Sequence, residues 1–349
     1  MIEIDGSQKS GSGTIVRNSI AMASLLKQDL HLTNIRSKRS KPGLRMQHLK
    51  AISACCEITG GVLEGAEVDS KEIVYRPGKK IKAGNYSWDI GTAGSTTMLA
   101  QTVLPLVCFA PSISIIKITG GLFQDFAPAA HHLQHVVLPL LSRMGISAEL
   151  NVFKPGYVPT GGGIIELKIN PVEKTIKPLV LKNQGKITEI KGIALSSHLE
   201  QREVSKRMAD NCNDVLARNG LQANIDCIYD TSSIQRGASL TIYAQTNSGC
   251  IMGMDMAGKL GRTSEFIGRH VAEMFIEDLK SGATLDRYTA DQLIIYGALA
   301  SGTTSYIIPR ITEHIDTNLW LIEKILGAKS VLDNNLLTIH GVGYQRSRK

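Results

Sequence analysis

The feature that most constrains the fold is a secondary-structure order that runs once and then starts again. A short apolar strand ends at Ile4, a small-residue loop leads to a helix from about Thr14 to Lys27, and a strand from Leu30 to Ile35 follows. A second helix, opened by Pro42 and carrying Leu49, Ile52 and Cys55 on one face, then precedes a strand pair around Val62 to Tyr75. The same order resumes with a strand from Tyr86 to Ile90, a helix from Gly94, a strand from Ser112 to Thr119 and a helix from Ala127 to Arg143. It closes with the pair Ile146 to Val152 and Ile164 to Ile169. A partial third copy is expected near the C-terminus, with helices starting near Tyr288 and His314 and strands around Ser305 to Ile308 and Leu336 to His340. What recurs is a pattern of elements more than of residues. Two copies of a βαβαββ unit and a partial third make the expectation an α/β (α+β) chain of repeated units.

Between the second and third copies the order changes. Strands near Leu179 to Leu181 and Ile187 to Leu195 precede an amphipathic helix with Val204, Met208, Cys212, Val215 and Leu216 on one face. Strands from Ala223 and Ser239 and a helix from Ser264 to Leu279 complete the segment. Stretches with Pro or Gly among polar residues flank it, near Val172 to Ile176 and Ser281 to Asp286. The expected division is a large domain of residues 1–175 and 284–349 with a smaller α/β domain, 176–283, inserted in it.

With 43% hydrophobic and 20% charged residues, the 349-residue chain falls outside the disordered, coiled-coil and collagen-like classes. A formal net charge of +8 favours a polyanionic partner such as nucleic acid. The six cysteines show no CxxC or Cys/His metal spacing, and most fall in apolar runs, so they read as reduced core residues. The longest apolar stretch, Met98 to Ala110, holds Gln101 and Pro105 and is too short to span a bilayer. With no leader-like opening, the expectation is a cytoplasmic protein without a membrane partner.

Between Arg36 and Arg45 lie five cations, Arg36, Lys38, Arg39, Lys41 and Arg45, in a short loop ahead of a helix. Such a run is either a solvated surface or a phosphate seat. Free N–H groups and the positive dipole end of the helix favour an anion, and arginine forks grip phosphate at two points. Arg17, one turn into the first helix, could face the same anion as Arg36. Two glycine loops stand out, Gly91-Thr92-Ala93-Gly94-Ser95 and Gly156 to Gly163, each open to a structural or a ligand-binding reading. His314 falls in the first turn of a helix capped by Thr312, where the dipole keeps an imidazole neutral. A neutral imidazole can attack phosphorus, although a lone histidine near a cap is more often a surface residue. His131, His132, His135 and His270 are expected to be ordinary helix residues.

Taken together, these segments resemble the RNA 3'-terminal phosphate cyclases over essentially the whole chain. The family's opening motif is matched by Asp5-Gly6-Ser7 through Ile15-Val16-Arg17. Its basic segment is matched by Ile35-Arg36 through Gln47-His48-Leu49, its glycine signature by Gly156 through Gly163, and its late motifs by Tyr288, Asp291, Gln292 and Leu293 and by His314, Thr317 and Asn318. The resemblance implies one large domain of three βαβαββ units, enolpyruvyl-transferase-like, with a smaller α/β domain inserted before the third. It also implies that His314 attacks the α-phosphorus of ATP to form a covalent His–AMP, that AMP passes to an RNA 3'-phosphate, and that the 2'-hydroxyl closes a 2',3'-cyclic phosphate. By the same resemblance Gln101, Pro128, Tyr288, Asp291, Gln292 and Asn318 bind ATP, with Tyr288 stacking on adenine. Arg17, Arg36, Arg39, Gln47 and His48 serve phosphate and RNA, and a divalent metal (Mg or Mn) accompanies ATP.

The chain also departs from that pattern. Ser10 stands where the family has a metal-linked Glu, which leaves the metal ligands unknown. Ser12 replaces a Gly, Thr14 a Gln, Leu122 a Thr and His131 an Asp. A hydroxyl is a poor ligand beside a carboxylate. The altered loop motivates a second reading, a non-catalytic RNA-binding or ribosome-assembly factor, and architecture alone motivates a third, an enolpyruvyl transferase.

Overall fold

The computed structural model describes residues 1–346. Its first unit is β1 (Ile2–Asp5), α1 (Gly13–Leu26), β2 (Leu30–Thr33), α2 (Met46–Thr59), β3 (Val62–Glu64) and β4 (Ile73–Arg76). The second is β5 (Asn85–Asp89), α3 (Thr96–Val107), β6 (Ser114–Gly120), α4 (Ala130–His132), α5 (Leu138–Arg143), β7 (Ala148–Lys154) and β8 (Gly163–Ile169). Next come β9 (Val180–Leu181), β10 (Ile187–Ser197), α6 (Val204–Arg218), β11 (Asn224–Asp230), β12 (Gly237–Thr246), β13 (Ile251–Ala257) and α7 (Ser264–Lys280). The chain ends with α8 (Thr289–Gln292), α9 (Ile294–Leu299), β14 (Thr303–Ile307), α10 (Glu313–Leu321), β15 (Lys329–Asp333) and β16 (Leu336–His340).

Three of the four sheets share one plan. Their orders are β1-β2-β4-β3, β5-β6-β8-β7 and β9-β14-β16-β15, each with a parallel first pair followed by two antiparallel pairings. Strand β9 therefore belongs by its hydrogen bonds to the C-terminal sheet, not with the segment that follows it, and it makes the third unit complete. Two residues were too few to carry a periodic signal. The fourth sheet, β11-β10-β12-β13, comes from the intervening segment, whose core of Ile190, Met208, Leu240, Val271 and Phe275 is separate from the large core under the other three sheets. Helices α6 and α7 cover this sheet and cross tightly at Gly268, where a β-carbon would stand 2.4 Å from the Met208 carbonyl oxygen.

Several boundaries differ from the sequence reading for local reasons. Helix α2 starts at Met46, not at Pro42, because the intervening backbone is already committed: Gly43 N–H donates to Ile35 O and Leu44 N–H to Ser70 O. Arg45 is its N-cap residue, and its N–H donates to His48 Nδ1 at 3.3 Å. The helix expected from Ala127 starts at Ala130 and widens into a π-turn over Leu133–Val137. Pro139 lacks an N–H and its ring crowds the carbonyl four residues back, His135, so the helix relaxes there. Cysteines 55, 108, 212 and 250 are buried and free, whereas Cys227 is exposed on edge strand β11, against expectation. Among the described residues no helix is long and apolar enough to cross a membrane.

Candidate active site

Helices α1 and α10 come from opposite ends of the sequence and bring their N-termini together. Ser12 caps α1 by accepting from Thr14 N–H at 3.3 Å, and Thr312 caps α10 by accepting from Ile315 N–H at 3.1 Å. Thr14 and Asn18 lie four residues apart on α1, as His314 and Asn318 do on α10, so each pair shares a helix face. The faces meet in register: Thr14 Oγ1 is 3.1 Å from His314 Nδ1, and Asn18 Nδ2 donates to Asn318 Oδ1 at 2.7 Å. In the loop ahead of α1, Ser10 N–H donates to Thr317 Oγ1 and Lys9 Nζ pairs with Asp316 at 3.1 Å.

This seam forms one wall of a cavity of about 470 Å³. Arg17, Gln101, Pro128, Tyr288, Asp291, Gln292, His314 and Asn318 all line it. Every residue named from the resemblance for ATP is thus in one place, together with Arg17. Gln101 Nε2 donates to Gln292 Oε1 at 2.5 Å, and Asn318 Nδ2 donates to the Asp291 carbonyl at 3.0 Å, which ties Gln101 to Gln292 and Asn318 to the backbone of α8. Tyr288, 43% exposed, takes its place from Asp286, whose buried carboxylate accepts from the N–H groups of Tyr288 and Thr289 and, across the segment boundary, of Gly253.

The electrostatics are those of an anion site. The Arg17 guanidinium makes no hydrogen bond or ion pair among the described residues, and burial lowers its pKa to about 10, still fully charged at neutral pH. His314 is pushed below the usual imidazole range by burial first and then by Arg17 and Arg39, so its ring is neutral. Burial and two cations thus add to the helix dipole in keeping the ring neutral. Burial raises Asp291 to about 7, with Asp286 adding to the shift and Arg17 opposing it.

Arg36, Arg39, Gln47 and His48 do not line the cavity. Arg36 spends one guanidinium nitrogen on its own loop, donating to Lys41 O and Gly43 O. Arg39 is near enough for its charge to reach His314. Gln47 Oε1 accepts from Ser95 N–H, and His48 is buried beside Gly13 with its pKa lowered to about 2, by burial first and by Arg17, Arg36 and Arg45 after it. Both thus have packing partners within the fold. In the Gly91 to Ser95 turn three N–H groups are engaged within the fold: Gly91, Gly94 and Ser95 donate to Asp89, Thr92 and Gln47. The second glycine loop is needed for close backbone approach, since a β-carbon on Gly156 would sit 2.3 Å from Gly163 N. His131 packs against Phe123, and Leu122 is core.

Sequence reasoning missed the wall supplied by the inserted segment. Met254, Asp255 and Met256 of β13 line the cavity, and in the loop after β13 Arg262 grips Asp125 with both guanidinium nitrogens, at 2.8 and 3.0 Å. Nothing in the sequence pairs residue 125 with residue 262. His270, expected to be an ordinary helix residue, lines the cavity as well.

The first loop does not suit a resident divalent metal. Ser10 Oγ and Ser12 Oγ hydrogen-bond to each other at 2.9 Å, and among the described residues no three His, Cys, Asp or Glu side chains gather as a metal site. Neutral hydroxyls are weak ligands for a hard cation.

A family model described as RNA 3'-terminal phosphate cyclase matches residues 8–332. The chain belongs to the RNA 3'-terminal phosphate cyclase family. Curated proteins named RNA 3'-terminal phosphate cyclase match along their whole length. The one from Pyrobaculum aerophilum is 33% identical over 99% of each chain, and that from Archaeoglobus fulgidus 35% over 97% of this chain and 100% of its own. That from Staphylothermus marinus is 34% identical over 98% of this chain and 99% of its own. A solved enolpyruvyl transferase, NikO from Streptomyces tendae, overlaps 49% of this chain and 33% of its own at 14% identity and a TM-score of 0.29, a likeness that carries no argument. The fold of this cyclase-family member rests on its own sheets.

Proposed function

We propose that the protein converts an RNA 3'-phosphate into a 2',3'-cyclic phosphate, using ATP through a covalent His314–AMP and an RNA adenylate. The observation that carries this reading is a neutral histidine at a helix N-terminus, beside the unpaired Arg17, in a cavity large enough for a nucleotide in a chain of this family. Adenine lies between Tyr288 and Pro128, and the ribose and α-phosphate run toward α10. His314 Nε2 attacks the α-phosphorus and pyrophosphate leaves. Arg17 and the N–H groups at the start of α10 take up the charge that develops on the phosphoryl oxygens. A terminal phosphate oxygen of the RNA then attacks the adenylyl phosphorus and releases the imidazole. The vicinal 2'-hydroxyl attacks the RNA phosphorus, its proton is lost, and AMP departs. Arg36, Arg39 and the basic loop around them meet the incoming RNA phosphate. ATP enters with a divalent counter-ion as part of the substrate, because the chain offers that ion no carboxylate at Ser10.

The test is incubation with α-labelled ATP and a divalent metal. Wild type should acquire acid-labile, alkali-stable label and His314→Ala none, and RNA bearing a 3'-phosphate should discharge the label and gain a cyclic end. Unlabelled wild type that still binds RNA would move the protein to the assembly-factor reading that the hydroxyl-bearing first loop motivates.

A further inference from the structure

We propose that Thr14 is a positioning residue that holds His314 in the Nδ1–H tautomer and so leaves the Nε2 lone pair facing the cavity; this rests on the adenylylation reading above. A neutral imidazole has one proton for two nitrogens, and the partner of one nitrogen decides the state of the other. The only partner of the His314 ring among the described residues is Thr14 Oγ1, 3.1 Å from Nδ1. Nε2 has none, and the ring lines the cavity.

A threonine hydroxyl can donate to Nδ1 or accept from it, so the direction must come from elsewhere. The Thr14 side chain also lines the cavity, one turn from Arg17. Phosphate oxygens drawn there accept hydrogen bonds and donate none. The Thr14 hydroxyl then gives its hydrogen to the occupant, and its lone pair is left to receive Nδ1–H. The same substrate that His314 is to attack therefore selects the attacking tautomer. Geometry supports a dedicated contact: Thr14 is anchored by Ser12 at the start of α1, and the Asn18–Asn318 bond one turn along holds the two helices in register.

The step balances without a proton leaving the ring. The Nε2 lone pair forms the N–P bond, the bond from the α-phosphorus to the bridging oxygen breaks, and its electron pair departs on pyrophosphate. The ring becomes cationic and keeps its Nδ1 proton, and the bond to Thr14 becomes charge-assisted. With the opposite tautomer Nε2 carries the proton and has no lone pair to offer.

Three variants and one spectrum decide it. In single-turnover labelling with α-labelled ATP, Thr14→Val, which keeps the shape and removes the hydroxyl, should slow His314 adenylylation about 10²-fold at saturating ATP, well beyond the rise in KM that follows from the one lost contact to phosphate. Thr14→Ser should restore most of the rate, and Thr14→Ala should behave as Val does. Nitrogen-15 spectra of wild type with α,β-methylene ATP should show Nδ1 protonated and Nε2 bare. Labelling of Thr14→Val at the wild-type rate, or a protonated Nε2 in that complex, would overturn the tautomer assignment while leaving the cyclase reading in place. A wild type that neither takes label nor binds the analogue would remove both.

Discussion

At the scale of single residues, the cavity keeps one ring uncharged next to fixed cations. Burial, Arg17 and Arg39 all disfavour protonated His314, so its folded pKa lies below that of an ordinary histidine. If the neutral ring is the nucleophile, the adenylylation rate is set by its unprotonated fraction. The rate should then stay level as pH falls past the usual imidazole range and decline only once pH drops through the lowered pKa. Replacing Arg39 by Ala removes one of the opposing charges, makes protonation easier and should move the acid limb to higher pH. Single-turnover labelling from pH 5 to 8 reads this directly, and a limb that stays put would mean that Arg39 does not reach the ring. His48 carries the same physics into stability. Its folded pKa, about 2, lies below the unfolded value of 6.5, so the unfolded chain binds more protons between the two. That contribution is present in full above pH 6.5 and is progressively lost as pH falls, and His48→Leu should flatten the fall in urea midpoint between pH 7 and 4. His314 could be singled out from its place beside the Thr312 cap, whereas Tyr288, Asp291 and Gln292 were named only through the family resemblance; all four line one cavity. Thr14 could not be paired with His314, since 300 residues separate them and a lone threonine carries no signal.

At the scale of elements, His314, the proposed nucleophile, depends on a helix end. Thr312 Oγ1 accepts from Ile315 N–H, and α10 is nine residues long, so one cap governs a large share of its N-terminal geometry. Thr312→Ala should destabilise the fold by about 1 kcal/mol, the usual worth of such a cap. It should also reduce adenylylation beyond what that loss explains, because the first turn also orients His314 toward Thr14. Thr312→Asp, which keeps a cap acceptor, should recover the stability in urea titrations; a Thr312→Ala variant as stable and as active as wild type would show the cap to be idle. This helix start was legible because a capping residue, an acidic first turn and an apolar face coincide within a few positions. The start of α2 was not. Pro42 is an ordinary N1 signal, but the hydrogen bonds of Gly43 and Leu44 reach Ile35 and Ser70, and such tertiary ties leave no local trace.

At the scale of the whole molecule, three copies of one sheet plan form the body, and the fourth sheet closes the cavity from outside it. The repeat could be read from the order of elements, whereas the membership of β9 could not, because its partner β14 lies more than a hundred residues away. We propose that the segment from β10 to α7 is a separable domain that completes the site. Its two ends meet: Thr284 Oγ1 donates to the Leu181 carbonyl at 2.9 Å, and Gln184 Nε2 donates to the Ala283 carbonyl at 2.7 Å. Its core is distinct from the main one, and side-chain ties such as Tyr157 to Ser197 and Asp125 to Arg262 cross the junction. Excising residues 183–282 and bridging the gap with a short glycine and serine linker should leave the three-sheet body folded, with a cooperative urea transition at a lower midpoint. The shortened chain loses Met254, Asp255 and Met256 from the cavity wall and the Gly253 N–H that steadies Asp286 under Tyr288, so it should not become adenylylated. Adding the segment back as a separate polypeptide should restore labelling only if the ties across the junction suffice to seat it. A shortened chain that unfolds without cooperativity would show instead that the body relies on the segment for its own core. A folded one that labels at the wild-type rate would show that α1, α8 and α10 make the site by themselves.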